Sequence, residues 1–351
     1  MWVIIMSNIM ASEQHAQQKL PIRFLRKLVN LIMALMPWAI ITALLCAAIF
    51  IKPQSVGSTI IPSALERRDQ FYGLAELKDG SVLVSGSYGK ILSINKDGQV
   101  SRLDTPTRKT LQDIAVWDST HAVAVGNDGV IIFSGDAGLT WQQAVDVPRS
   151  EVANKLNRVR VGHNGFAVDT GEMGAVLASY DFGEKWQRVR EEEDVAWNDV
   201  AILDDGQLVL VGEFGRVLLG RVGSEEWQEV DSLQASSLMS VDFRDQLHGL
   251  AVGLEGLVLE TEDGGHNWNA MEVGLTDHLF DVVWLAEQKQ WFVTGSLGRW
   301  AVGKGGEWEN GILDKRNLSW HVRALPVGNT LWLVGSNIGT WDGERWSQLR
   351  P

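Results

Sequence analysis

The stretch LAVGLEGLVLETEDGGHNW, Leu250–Trp268, holds the whole plan of the fold. It reads as an apolar strand, Gly253, two variable residues, Gly256, a second apolar strand, a short turn and a tryptophan. Alternation with period 2 on both sides of the glycine pair argues for two antiparallel strands joined by a tight turn. The preceding LMSVDF, Leu238–Phe243, supplies a further strand, and the residues led by Trp268 supply a fourth. One such unit is a four-stranded meander that cannot bury both faces alone.

Working outward, the glycine pair recurs at Gly86/Gly89, Gly126/Gly129, Gly171/Gly174, Gly212/Gly215, Gly253/Gly256, Gly295/Gly298 and Gly335/Gly339, the last with one extra position between its members. The second glycines return roughly every 40–45 residues, which is the period of a four-stranded propeller blade. The expectation is therefore an all-β chain, a seven-bladed β-propeller over 71–351. A tryptophan follows the second glycine at one constant spacing at Trp141, Trp186, Trp227 and Trp268, and sooner at Trp308 and Trp346. The closing of the ring stays open: Trp346–Arg350 forms the last outer strand alone, or residues near Ile60 add one.

Three units carry a sharper signature, SGDAGLTW from Ser134, SYDFGEKW from Ser179 and TEDGGHNW from Thr261. These are Asp-boxes, Ser/Thr-x-Asp-x-Gly-x-x-Trp. The carboxylate accepts turn N–H groups, the glycine supplies positive φ, and the tryptophan fills the space beside the sheet. Asp136, Trp141, Asp181, Trp186, Asp263 and Trp268 are read as structural, on the bottom face of the disc. The glycine-pair turns and the links between blades form the top face.

From Leu28 to Ile51 the chain holds no charge. As a helix this stretch spans about 36 Å, enough for a bilayer core. Arg23, Arg26 and Lys27 precede it. The positive-inside tendency then puts segment 1–27 in the cytoplasm and the body outside, in the periplasm of a Gram-negative cell. The reading is a single-pass inner-membrane anchor at 28–51 and a linker at 52–70. A cleaved signal peptide is the rival, against which stands the length of the apolar run. Of the total charge of −13, residues 1–52 carry +4 and the remainder −17. An acidic body argues against nucleic acid as partner. Cys46 is the only cysteine, so no disulfide forms within the chain.

With Leu250–Trp268 as its best match, the repeat resembles the photosystem II assembly and stability factor family of chloroplasts and cyanobacteria, over about 71–350. The resemblance implies a non-catalytic lumenal or periplasmic helper that binds membrane subunits. Relatives occur in bacteria without photosynthesis, some beside lipid-exporting transporters, and this chain reads as one of them. Its expected partner is an integral membrane protein complex, a transporter being one form. Two departures stand out: a helix replaces the lipid anchor, and the family's arginine patch is thin. After the second glycines come Lys90, Val130, Ala175, Arg216, Leu257, Arg299 and Thr340.

Chemistry is sparse. A sialidase-like glycosidase would need three arginines on a carboxylate and a tyrosine nucleophile. Arg158, Arg216 and Arg299 and the tyrosines Tyr72, Tyr88 and Tyr180 are the available set, and the Phe/Tyr-Arg-Ile-Pro signature is missing. An envelope protein binding lipid or glycan is a third reading. Histidines lack zinc spacing, and neither metal nor cofactor is implied. Asp113, Asp199 and Asp281 occupy equivalent places at inner-strand starts, where solvated caps are expected and an acidic rim able to hold a hard cation is the alternative. For partner binding, the top face offers Tyr88, Arg158, Phe214, Arg216, Phe280, Arg299 and Trp320. Half of the aromatics could instead plug the channel.

Overall fold

The computed structural model describes residues 22–50 and 63–350, apart from 225, 231–234, 305 and 317. It divides into two units, one at 1–62 and one at 63–351.

In the first, a helix α1 covers Ile22–Phe50, with Pro37 inside it. It starts ahead of the expected anchor, because Arg23, Arg26 and Lys27 extend the same helix. Arg26–Ala47 is long and apolar enough to cross a membrane, which suits an anchor or a signal. The expected linker lies mostly at 51–62, outside the described residues.

The second unit is a seven-bladed β-propeller, seven separate sheets of four antiparallel strands in sequential order. The blades span 71–103, 111–143, 156–188, 197–230, 238–270, 279–312 and 321–348. A second strand lies between two neighbouring blades and is covered on both faces. Val82–Gly86, Ala122–Gly126 and Leu208–Gly212 are accordingly buried along their length. The cores are slabs between blades. Val123, Val125, Val159 and Leu177 with Trp186 fill the slab between blades 2 and 3, and Val209, Leu219, Val241 and Ala251 with Trp268 the slab between 4 and 5.

The two glycines of each pair do different work. At Gly253 a Cβ would stand 2.2 Å from the carbonyl oxygen of Ser237, where the preceding link crosses the turn. Gly256 instead has φ +72, a left-handed conformation that glycine adopts freely. Blade 7 departs from this. Val334 pairs with Ile338, so the turn is shorter than elsewhere, and Gly339 lies inside the strand Ile338–Trp341 rather than in a turn. The seventh glycine pair is thus a coincidence of spacing, although the seventh blade is real.

Among the described residues ring closure exchanges no strand; the alternative strand near Ile60 lies outside them. Blade 1 draws all four strands from 71–103, and Trp346–Gln348 pairs only within blade 7. Packing closes the ring: Leu65, Phe71, Leu92, Ile94, Val334 and Ile338 form one cluster across blades 7 and 1. Asp69 binds Lys90, both almost fully buried. Part of the expected linker, 63–70, therefore belongs to the propeller.

Candidate partner-binding face and central channel

All seven inner strands start with a register shift, as at Phe71/Gly73, Leu111/Asp113 and Leu279/Asp281. A bulge carries one extra residue and re-aims side chains. The residue ahead of it packs into the blade core, as Phe71, Leu111, Leu156, Trp197, Leu238, Leu279 and His321. Burial of His321 holds its imidazole at a pKa of about 4, against the pull of its bond to Asn337. Desolvation penalises the charged ring, so it is neutral. The next residue of each blade reaches the channel mouth on the top side. Tyr72, Gln112, Asn157, Asn198, Met239, Phe280 and Val322 line that mouth.

The residue after these forms a ring around the axis: Gly73, Asp113, Arg158, Asp199, Ser240, Asp281 and Arg323. Arg158, expected on the docking face, is instead 1% exposed and donates through Nη2 to Asp281 (2.8 Å) and Ser240 (3.1 Å), with Asp199 Oδ2 at 2.9 Å. The bulge turns its side chain into the channel, where carboxylates from the adjacent blade 4 and from blade 6 across the ring meet it. Arg160, one layer deeper, grips Asp199 through Nε and Nη2, and Arg323 Nε donates to Asp113 at 3.2 Å. Asp113, Asp199 and Asp281, expected as solvated caps, are buried.

Channel aspartates also stitch one blade to the next. Asp113 accepts the Val159 N–H, Asp199 that of Val241, Asp242 that of Trp284 and Asp281 that of Ala324. Electrostatics sorts them. Burial works upward on Asp199, but the Arg158 and Arg160 guanidiniums and its hydrogen bonds win and hold it below the usual carboxylate range. For Asp113 and Asp242 burial wins, lifting both to about 6. Asp169, buried in blade 3 with neither oxygen bonded among the described residues, is raised well above its ordinary value by burial and then by Asp113. Such a network is costly to break from one side, because a partner removed leaves a buried charge.

On the top face the glycine-pair turns hold a bulky residue at positive φ in six blades: Tyr88, Asp128, Met173, Phe214, Glu255 and Leu297, with φ from 54 to 59. A side chain in that region costs about 1 kcal/mol or more. Tyr88, Phe214 and Leu297 are nevertheless exposed, at 70%, 66% and 45%. Phe280 sits half-buried in the channel mouth, and Trp320 stacks on Tyr72 at 5.9 Å. The arginines are engaged: Arg216 binds Glu229 and Glu193 and lies 5.2 Å from the Trp197 ring, and Arg299 binds Asp277. Arg158, Arg216 and Arg299 thus have separate partners and do not converge on one ligand. Tyr72 lines the mouth, Tyr88 tops a turn, and Tyr180 packs on Phe166 beside an Asp-box, so no tyrosine joins them.

In the boxes, Asp136 Oδ1 accepts the Thr140 N–H at 2.8 Å, Asp181 that of Lys185 at 3.0 Å and Asp263 that of Asn267 at 2.9 Å. Trp141, Trp186 and Trp268 donate their indole N–H to the box glycine carbonyl at 2.9, 2.9 and 2.8 Å. No group of His, Cys, Asp and Glu able to hold a metal occurs among the described residues. Sequence reasoning missed Arg160, Asp242 and Arg323. The available signal was register: Arg158 and Arg323 stand at the same inner-strand place as Asp113, Asp199 and Asp281.

Fold and channel together define a single-chain, seven-bladed β-propeller of the Asp-box kind, closed by packing and tied through a charged axis. The chain belongs to the photosynthesis system II assembly factor YCF48 family, whose model matches residues 92–218 and 219–317. Among solved structures, YCF48 bound to a D1 peptide is similar at TM-score 0.63 and 14% identity, covering 76% of this chain and 91% of that one. YCF48 from Cyanidioschyzon merolae gives 0.63 and 12%, covering 77% and 94%. PorZ, a surface component of the type-IX secretion system of Porphyromonas gingivalis, gives 0.62 and 14%, covering 80% of this chain and 38% of PorZ. A streptogramin B lyase is also similar, at TM-score 0.68 and 12% identity, covering 81% of this chain and 96% of the lyase. The fold itself therefore serves binding proteins and enzymes alike. No curated protein sequence matches the chain.

Proposed function

We propose that this protein is a non-catalytic scaffold, anchored by α1 with its propeller on the periplasmic side, that docks its top face onto an integral membrane protein complex and aids its assembly or operation. The observation that carries the reading is the set of exposed, left-handed side chains Tyr88, Phe214 and Leu297 on one face. The left-handed turn is common to six blades, but exposed apolar side chains at its tip, where Asp128 and Glu255 stand in other blades, suit a surface whose contacts lie outside the molecule. Membership of an assembly-factor family supports it, as do a D1 peptide on YCF48 and the place of PorZ in a secretion system. Arg158, Arg160 and Arg323 of the channel are each paired with an aspartate rather than gathered to grip a substrate carboxylate, which counts against the sialidase-like alternative.

Affinity purification of the full chain from solubilised membranes tests this. One membrane complex is expected to co-purify, and the double variant Tyr88→Gly/Phe214→Gly is expected to lose it while folding normally, since glycine relieves the strained turns. Recovery of no membrane protein, or undiminished recovery by the variant, overturns the reading.

A further inference from the structure

On the bottom face a cleft of about 300 Å³ opens between blades 6 and 7. Its origin lies in the turns. In the box-bearing blades the box glycine leans over the preceding blade, Gly138 against Leu83, Gly183 against Val123 and Gly265 against Val209. Blade 7 has no box: Trp341 pairs directly with Trp346, and Gly343 in the turn between them meets nothing within 4 Å. The space that a box would cover stays open.

Trp300 and Trp341, with ring centroids 4.7 Å apart, and Val302 line the cleft on its apolar side. Gln288, Gln290, Asn329 and Glu309 line its polar side. Among the described residues these four side chains make no hydrogen bond or ion pair, whereas the amides of Asn157 and Asn198 at the channel mouth are each held by a neighbouring blade's carbonyl. Among the described residues no lysine or arginine lines the cleft.

An anion would meet Glu309 and Asp342 with no cation to hold it, and an aliphatic chain would cover the amides and leave them unpaired. A sugar ring satisfies both sides: its C–H face packs on indole, and its neighbouring hydroxyls donate to carboxylate and exchange hydrogen bonds with amides. We propose that the cleft between blades 6 and 7 binds a neutral pyranose unit of a glycan. The volume sits at the small end of ligand pockets, about 300–1,000 Å³, which suits one or two rings.

The test uses the full chain in lipid nanodiscs, titrated with glucose, galactose, N-acetylglucosamine and their disaccharides, read by tryptophan fluorescence and saturation-transfer NMR. Saturable binding of at least one sugar is expected, weakened about tenfold or more by Asn329→Ala and by Gln290→Ala, each of which removes a hydrogen bond at the surface without disturbing the slab. Trp300→Phe is expected to keep the fold and lose the fluorescence response. Three results overturn the proposal: no saturable response to any sugar, binding that both amide variants leave unchanged, or binding of choline with no sugar bound, which would mark a cation site.

Discussion

Blades 2, 3 and 5 pin their outer strands with an Asp-box, whereas blades 4, 6 and 7 do so without one, and the difference sits at one register position. Where third strands end, the box blades have Ser134, Ser179 and Thr261, whose hydroxyls bind the box aspartate and glycine. Blades 4 and 6 have Gly220 and Gly303 there, and the rings of Trp227 and Trp308 lie flat on them, so that an added Cβ would stand 2.1 and 2.2 Å away. Blade 7 has Trp341 itself, packed into the slab shared with blade 6 against Phe292 and Trp300. A box buries its tryptophan with its N–H satisfied. The alternatives leave the Trp308 and Trp346 indole N–H groups unpartnered among the described residues. Local hydrogen bonding and plain aromatic cover are thus two routes to the same strand pairing.

The largest test of this contrast removes the indole. Trp268 is buried in a slab, whereas Trp227 is only half-buried. Trp268→Ala is expected to cost about 3–5 kcal/mol by urea unfolding, because it empties that slab. Trp227→Ala is expected to cost about 1–2 kcal/mol, since less apolar area leaves water there. Equal losses would mean that the box adds nothing. Next, Gly303→Ala and Gly220→Ala should each destabilise by about 1–3 kcal/mol through overpacking. Gly135→Ala in the blade 2 box, with nothing within 4 Å, should be near neutral. Reversal of that order would show that the tryptophans do not rest on the glycines.

Smaller still, Asp263→Ala is expected to lose about 1–2 kcal/mol at pH 7. Hydrogen bonds from Asn267 overcome partial burial and hold the Asp263 carboxyl below its usual range. This contribution is therefore present above the ordinary aspartate pKa and fades as pH falls through the lowered one. A variant whose deficit grows in acid contradicts the assignment.

The last effect concerns the bulge position that blade 7 fills with His321, whose pKa is held at about 4. Such a histidine binds fewer protons folded than unfolded, so its stabilisation is full above the ordinary value of about 6.5 and falls as pH drops toward the lowered one. In a urea-unfolding series, His321→Gln should flatten the stability profile between about pH 7 and about pH 5 by about 1–2 kcal/mol. Asp113 and Asp242, lifted to about 6, act oppositely in both proteins and cancel in the comparison.

Much of this architecture is written locally. The blade period, the alternation of each strand, the glycine turns and the Asp-boxes with Trp141, Trp186 and Trp268 are all present in the chain as it stands. They follow from backbone sterics and from neighbours close in sequence. Those features determined a propeller and one long apolar N-terminal segment, and the count of seven holds although the last glycine pair is not a turn pair. What they could not decide depends on side chains from separate blades brought to one axis. Arg158 reads as a surface cation until the ring places Asp199 and Asp281 against it. Only closure buries these groups against one another and makes pairing obligatory. Gly339 passes as a turn glycine until strand pairing shifts it into a sheet. The cleft beside Trp300 exists because a short turn in blade 7 fails to cover blade 6, a consequence of packing between units that no single repeat encodes.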